Sequence, residues 1–169
     1  VSISLLNSVN LKLRPKLFSQ LRPGTRIVSH DFDMEDWEPD QSAEINGHQV
    51  YYWVIPANVS GIWEWSVPSR NGSRQCSMKM RQRYQKADGV LDDQNLIRNV
   101  RITGANIRFT AQTMVNGKVM PMEYEGSVSG NTIKGVIRPA DGSAVRPMAW
   151  KAHRKAATAV SICDGAGPG

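Results

Sequence analysis

Two groups of polar residues follow two apolar segments near the start of the chain. The first group offers amide and hydroxyl groups, and the second offers an imidazole and carboxylates, which can position an acceptor or remove its proton at neutral pH. In open α/β sheets, ligands bind outside the carboxyl ends of the strands. The groups are Asn7, Ser8 and Asn10, and then His30, Asp31 and Asp33.

Simpler structural roles remain open for the same residues. Asn7 and Ser8 are also suited to capping a helix, and the acids to a solvated loop. An EF-hand loop starting at Asp31 would need Gly and Glu where Asp36 and Ser42 stand, so no metal site is predicted. Neighbouring residues of a strand point to opposite faces, which argues against a Ser-His-Asp triad at residues 29–31.

The elements around these groups predict a βαβ unit. Residues 1–6 and 25–32 are short apolar segments typical of buried strands. Pro15 is expected in the first turn of a helix, which would begin near Leu13 or Arg14, and Pro23-Gly24 ends it. Two strands cannot form an open parallel sheet. We therefore expect the back half of a larger α/β sheet.

The rest of the chain is typical of antiparallel β-structure. Asn46-Gly47 predicts a hairpin that completes the first sheet. In residues 61–67, apolar side chains occupy every second position, which is typical of a half-buried strand. The same pattern in residues 76–84 places Cys76 on the apolar face of its strand, which predicts a packed thiol. The later segments indicate a half-barrel or sandwich. Further strands are predicted at residues 100–103, 107–111, 119–125, 127–129, 132–137 and 148–153.

Charge supports a division of the chain. Residues 1–67 carry 5 Lys/Arg against 8 Asp/Glu, whereas residues 68–169 carry 16 against 7. We predict an α/β segment at residues 1–67, an antiparallel β extension at 68–155 and a disordered tail at 156–169. No apolar run approaches the roughly 20 residues of a membrane span. No signal peptide is visible, which favours the cytoplasm but leaves export open if a signal was lost upstream.

Two surface features have alternative interpretations. Lys79, Arg81 and Arg83 form a basic stripe that suits single-stranded nucleic acid, although the solvated face of a barrel predicts the same residues and is favoured. The dense tryptophans, among them Trp63 and Trp150, indicate a core, with a ligand cavity inside a barrel as the alternative.

Two motifs carry a resemblance to a known family. Leu5-Leu-Asn-Ser-Val-Asn, and Ser29-His-Asp-Phe-Asp-Met with the residues up to Trp37, resemble the second half of class I S-adenosylmethionine-dependent methyltransferases. More narrowly, they resemble a small bacterial group distantly related to protein-lysine methyltransferases. The likeness covers residues 1–67 and is looser beyond. It implies the second half of a Rossmann-like sheet followed by a β-rich extension.

The resemblance also implies roles for the polar residues. Asn7, Ser8 and Asn10 would lie near the methyl group of the cofactor, Asp33 and Trp37 would lie near the substrate, and His30 or Asp31 would take the acceptor's proton. The resemblance does not identify the methyl acceptor, for which protein lysine is one candidate.

Two departures from the family pattern are visible. Asn7 stands where the family has Pro. The family's Gly-rich loop and its ribose-binding acid belong to an amino-terminal half that these residues do not contain, so no cofactor-binding residue is assigned and weak S-adenosylmethionine binding is expected. The competing interpretation is a non-enzymatic β-barrel or sandwich that binds a ligand or partner, and nucleic-acid binding comes third.

Overall fold

The computed structural model describes residues 1–163, and the strands among them form one sheet of four strands and one of nine. No helix in this part of the chain has both the length and the apolar character needed to cross a bilayer. The elements are β1 (Ser2–Ile3), α1 (Asn7–Gln20), β2 (Arg26–His30), β3 (Gln41–Ile45), β4 (His48–Val54), β5 (Gly61–Ser69), β6 (Gly72–Arg83), β7 (Lys86–Leu91), β8 (Asn95–Leu96), β9 (Arg98–Thr103), β10 (Asn106–Val115), β11 (Lys118–Ser129), β12 (Thr132–Pro139), β13 (Met148–Arg154) and a 3-10 helix (Ala156–Thr158).

The four-stranded sheet combines a parallel pair with an antiparallel hairpin, in the order β1-β2-β4-β3. β1 pairs in parallel with β2, with Ile3 opposite Ser29, and α1 connects them. β2 pairs antiparallel with β4, and Asn46 and Gly47, both with positive φ, form the turn between β3 and β4. The predicted parallel pairing and the predicted hairpin are therefore present.

Helix α1 begins earlier than the sequence predicts. It starts at Asn7 rather than near Leu13, and no side chain caps its first turn. Pro15 consequently lies inside the helix, where it has no N–H to donate to the preceding turn. Asn10 and Leu17 are buried on either side of Pro15. Because packing of a buried face supplies most helical stability in proteins, these contacts outweigh the local cost of the proline.

The nine-stranded sheet is antiparallel and runs in the order β8-β7-β6-β5-β13-β12-β11-β10-β9. Its two ends approach each other, since β7 lies beside β9 and β8 lies beside β10. A backbone hydrogen bond of 3.0 Å from Ile97 to the carbonyl of Gly89 helps to join them. The sheet is therefore a nearly closed barrel, and the predicted antiparallel β-structure is confirmed.

Two predicted segment boundaries differ from the structure. β5 pairs with β6 and β13, so the change of sheet lies between Val54 and Gly61 and not at residue 67. Residues 156–163, predicted as part of a disordered tail, include the 3-10 helix and pack on the protein: the carbonyl of Ile162 accepts the N–H of Tyr84 at 2.7 Å, and Cys163 is buried. The rest of that predicted tail, residues 164–169, lies outside the described residues.

Aromatic rings fill the barrel, as the sequence indicates. Trp150 packs edge-on against Trp65 and Tyr124, with ring centroids 5.7 and 5.4 Å apart. Gly126 and Gly135 face each other on β11 and β12. A Cβ on Gly135 would lie 1.9 Å from a backbone carbonyl oxygen, and one on Gly126 would lie 3.2 Å from the ring of Trp150. The two glycines therefore let the strands and the indole approach closely.

Both cysteines are buried free thiols. Cys76 lies on the inner face of β6, and burial raises the pKa of its thiol to about 11. The thiolate, which is the reactive form, is thus disfavoured at neutral pH. The prediction of a packed thiol at Cys76 is confirmed.

Candidate functional site

The carboxyl end of β2 and the start of β4 bring three polar side chains together, His30, Asp31 and His48. The Oδ2 atom of Asp31 lies 2.8 Å from Nδ1 of His48 and 3.2 Å from Nδ1 of His30. The two imidazole rings are 4.7 Å apart between centroids. All three residues are exposed, so this cluster is open to a large substrate.

The backbone fixes Asp31 in this position. Asp31 follows the last residue of β2 with a φ of 60°, so strand alternation ends there and its side chain meets that of His30. The sequence argument that these two side chains point to opposite faces is wrong for this reason. The N–H of Asp31 donates to the carbonyl of Gln49 at 2.7 Å, and Oδ1 accepts the N–H of Gln49 at 2.9 Å.

The surroundings of Asp31 favour its ionised form. The hydrogen bond from His48 is the largest influence and lowers the pKa of the Asp31 carboxyl, and the N–H of Gln49 acts in the same direction. An ionised carboxylate between two imidazoles can orient either ring. The ligand atoms of the three residues also lie within 4.8 Å of one another, a spacing that a metal ion accepts.

Asn10 connects the start of α1 to the loop after β2. Its side-chain amide donates to the carbonyls of Phe32, at 3.5 Å, and Asp33, at 3.2 Å. Asn10 is fully buried, and its Oδ1 atom has no hydrogen-bond partner within residues 1–163. On the opposite side, Oγ of Ser29 donates to the same Phe32 carbonyl at 2.5 Å. Asn10 therefore holds the loop in place, and Ser29 takes no part in the histidine cluster.

The remaining predicted site residues have different surroundings. Asn7 and Ser8 are exposed at the start of α1, and their side chains form no hydrogen bond with any described residue. Trp37 is fully buried, donates from Nε1 to Gln85 at 3.0 Å and stacks on Tyr84. The structure thus brings Asn10 to Asp33 and His30 to Asp31, and it places Trp37 in a buried core.

His48 was missed by the sequence analysis, although the hairpin that carries it was predicted. Its position beside Asp31 depends on the register of β2 with β4, in which His30 lies opposite Val50. A strand sequence alone does not specify which residue of a partner strand lies opposite, because register follows from the buried face and the turn together.

Asp36 has a structural role that the sequence analysis did not predict. Its carboxylate accepts hydrogen bonds from Arg14 of α1, from Arg83 of β6 and, at 3.0 Å, from the hydroxyl of Tyr84. Partial burial opposes ionisation, but these three donors lower the pKa of Asp36 to about 2. The acidic loop thereby links the four-stranded sheet to the barrel.

The basic stripe on β6 is largely neutralised by ion pairs. Arg81 forms a two-pronged pair with Asp88, at 3.0 and 2.9 Å, and Arg83 pairs with Asp36. These arginines are less available to phosphates than their spacing indicates.

Comparison with known proteins points to methyltransferases for about a third of the chain. The chain is 42% identical over 59 residues to a protein-lysine N-methyltransferase of Saccharolobus islandicus (strain REY15A), a match that covers 32% of this chain and 37% of the relative. No family model matches the chain. The identity supports a methyltransferase relationship.

A solved structure is also similar, that of an RNA methyltransferase from Salinibacter ruber in complex with S-adenosyl-L-homocysteine. The match has 56% sequence identity, covers 35% of this chain and 39% of the other, and has a TM-score of 0.34. The chain therefore spans less than two fifths of the length of either methyltransferase.

Proposed function

We propose that residues 1–54 form the acceptor side of a Rossmann-like S-adenosylmethionine-dependent methyltransferase domain, to which the barrel is appended. The observation that carries this proposal is the parallel β1-α1-β2 unit, with Asn10, Asp33, His30 and Asp31 at the carboxyl end of β2. Ligands of open α/β sheets bind at such strand ends. The identity to a protein-lysine N-methyltransferase supports the same class.

We propose that the described residues supply only one side of the S-adenosylmethionine site. The turn between β1 and α1 contains no glycine, and its residues Leu5 and Leu6 are exposed and bulky. A cofactor of this kind is held where small residues let the backbone approach it. The cofactor site of the proposed domain therefore needs residues from another part of the methyltransferase.

The edge of β1 is the place where that other part would attach. β1 is an edge strand of the four-stranded sheet, so its outer backbone groups lack a strand partner within the described residues. Val1, Leu5, Leu6 and Val9 are exposed beside this edge. We propose that a parallel strand of the cofactor-binding part pairs here and covers the apolar side chains, as parallel sheets are covered on both faces.

In the proposed reaction, this chain's residues orient the acceptor and accept its proton. A lysine acceptor is protonated at neutral pH and must lose a proton before its nitrogen attacks the methyl group. His30 would take that proton at Nε2, because its Nδ1 faces the ionised Asp31. Asn10 is a positioning residue, since it holds the loop that contains Asp33.

The experiment is a chimera in which the remaining part of the Saccharolobus islandicus relative precedes Val1. Labelled methyl transfer from S-adenosylmethionine is measured with bulk protein and, separately, with bulk RNA. We expect transfer to protein by the chimera and none by the chain alone. Transfer to RNA only would overturn the lysine acceptor, and a folded chimera without transfer to either would overturn the function.

Variants in the same chimera test the assigned roles. Because a general base contributes about 100-fold or more, His30→Ala should reduce the rate by roughly that factor, and Asp31→Asn by about tenfold. His153→Ala is the matched control, since His153 lies exposed on β13 of the barrel. Equal activity of His30→Ala and His153→Ala would remove the role of His30.

A further inference from the structure

A cavity of about 380 Å³ opens at one end of the barrel, far along the chain from the histidine cluster. The turn between β5 and β6 and the turn between β10 and β11 form its rim. A hydrogen bond of 3.3 Å from Arg70 to the carbonyl of Asn116 joins the two turns. Among the described residues, three arginines and no carboxylate line this cavity, which we call the barrel cup: Arg70, Arg74 and Arg146.

Arg74 is directed toward the interior of the barrel. It lies on β6 in phase with Cys76 and Met78, which are buried, and only 33% of its side chain is exposed. Nη1 donates to Asp92 at 2.8 Å, whereas Nη2 is buried without a hydrogen-bond partner. A buried donor left without an acceptor costs free energy, and a guanidinium is suited to bind carboxylate oxygens. Arg74 therefore lines the cup and has one N–H group without an acceptor among the described residues.

Two hydroxyl groups lie in the wall of the cup. Oγ1 of Thr113 and the hydroxyl of Tyr124 are 2.8 Å apart, and both residues are buried. Burial raises the pKa of Tyr124 to about 12, so its hydroxyl stays protonated at neutral pH. When one hydroxyl of such a pair donates to the other, the acceptor hydroxyl keeps a hydrogen for a further partner.

The other walls of the cup are apolar. Val67, Ile137 and Met148 line it, and Met114 is exposed at its rim. The barrel beyond is filled by rings such as that of Trp150, so the cavity is short. A volume of this size lies at the lower end of the range for small-molecule sites.

We propose that the barrel cup binds a small amphipathic carboxylate, with its head on Arg74 and its hydrocarbon part against the apolar wall. The guanidinium of Arg74 and the two hydroxyls of the wall match an oxygen-rich anionic head. Asp92 offsets the charge of Arg74, but Arg70 and Arg146 form no ion pair among the described residues and give the cup the opposite charge to such a head. The ligand would bind the chain as it stands, with no need of the cofactor-binding part, so this inference is independent of the proposed methyl transfer.

The test is calorimetric titration of the full chain with octanoate, and with octan-1-ol as the neutral analogue. We expect octanoate to bind one to one. Because a charge-assisted hydrogen bond is roughly twice as strong as a neutral one, Arg74→Met should weaken octanoate binding by about tenfold or more and leave octan-1-ol unchanged. Arg101→Met, an exposed arginine on β9, is the matched control and should change neither.

Each of these titration results would overturn the proposal: octanoate does not bind, Arg74→Met binds it as well as the unchanged chain, or Arg101→Met loses as much affinity as Arg74→Met. Circular dichroism establishes that each variant is folded. If Arg74→Met does not fold, Tyr124→Phe serves instead and should weaken octanoate by several-fold, as loss of one hydrogen bond does. On adding octanoate, the NMR signals of the amides of Thr113 and Asn116 should shift. If only the amides of other residues shift, octanoate does not bind in the barrel cup.

Discussion

The two sheets differ in how their cores are completed. The core of the barrel is built from residues 57–152 alone. The core beneath the four-stranded sheet includes Leu17, Trp37 and Trp53, but it also includes Tyr84 and Cys163, which belong to the other part of the chain. The hydrophobic core of the barrel is therefore formed by the barrel's own residues, whereas the four-stranded sheet depends on the barrel for part of its core.

The surfaces of the two regions show the same asymmetry. The barrel brings the ends of its sheet together, which limits its exposed edges. The four-stranded sheet leaves β1 as an open edge with exposed apolar residues next to it. A closed region beside an open one is what we expect of an appended barrel next to part of a larger α/β domain.

Removing the central indole of the barrel is the most severe test of this comparison. Because Trp→Ala changes in a core typically cost 3–5 kcal/mol, we expect Trp150→Ala to destabilise the barrel by about 4 kcal/mol. The four-stranded sheet should unfold with it, since its core uses Tyr84. Amide hydrogen exchange, measured at increasing urea concentrations, reports the unfolding of each region separately. Survival of protected amides in β2 and β4 after loss of the barrel would contradict the dependence.

The reciprocal change should have a smaller and local effect. Trp37→Ala removes a fully buried ring from the smaller core and should cost about 3 kcal/mol there. Amides of α1 and β2 should lose protection from exchange, while those of β11 and β12 keep it. If the barrel amides lose protection equally, the two regions are one cooperative unit and the asymmetry is wrong.

The link through Asp36 should depend on pH. The pKa of Asp36 is lowered from 3.8 to about 2 in the folded chain, so its stabilising effect is complete above about pH 4 and is lost as the pH falls toward 2. With solvent screening at this half-exposed carboxylate, the effect is about 1 kcal/mol. The difference in melting temperature between the unchanged chain and Asp36→Asn should therefore shrink from pH 5 to pH 2.

Glu44→Gln, a change at an exposed acid of β3, is the control for that experiment. Its melting temperature should follow that of the unchanged chain across the same pH range. A constant difference between the unchanged chain and Asp36→Asn down to pH 2 would show that the Asp36 carboxylate does not link the two regions in the way described.

The smallest effect on stability is expected at the open edge. Leu6 and Leu96 are exposed to nearly the same extent, 62% and 61%, one beside β1 and the other in the barrel. In the chain alone, Leu6→Ser and Leu96→Ser should each change stability by about 0.5 kcal/mol or less. In the chimera, only Leu6→Ser should lower the melting temperature, because only Leu6 would become covered. If the two chimera variants have the same melting temperature, the apolar surface beside β1 does not contact the cofactor-binding part.

Local patterns predicted the elements better than their arrangement. The Asn46-Gly47 turn and the alternation in β6 were sufficient for a hairpin and a half-buried strand, because both signals depend on neighbouring residues. The start of α1 was misplaced because buried contacts at Asn10 and Leu17 outweigh the proline signal. Neither the pairing of Asp31 with His48 nor the core position of Trp37 has a local signal, since both depend on contacts distant in sequence.

The most direct test of the account is amide exchange at β1, in the chain alone and in the chimera. The central claim is that β1 becomes an interior strand of a larger parallel sheet. We expect the amides of β1 that do not bond to β2 to exchange rapidly in the chain alone and to become protected in the chimera. Equally rapid exchange of these amides in a folded chimera would contradict the claim.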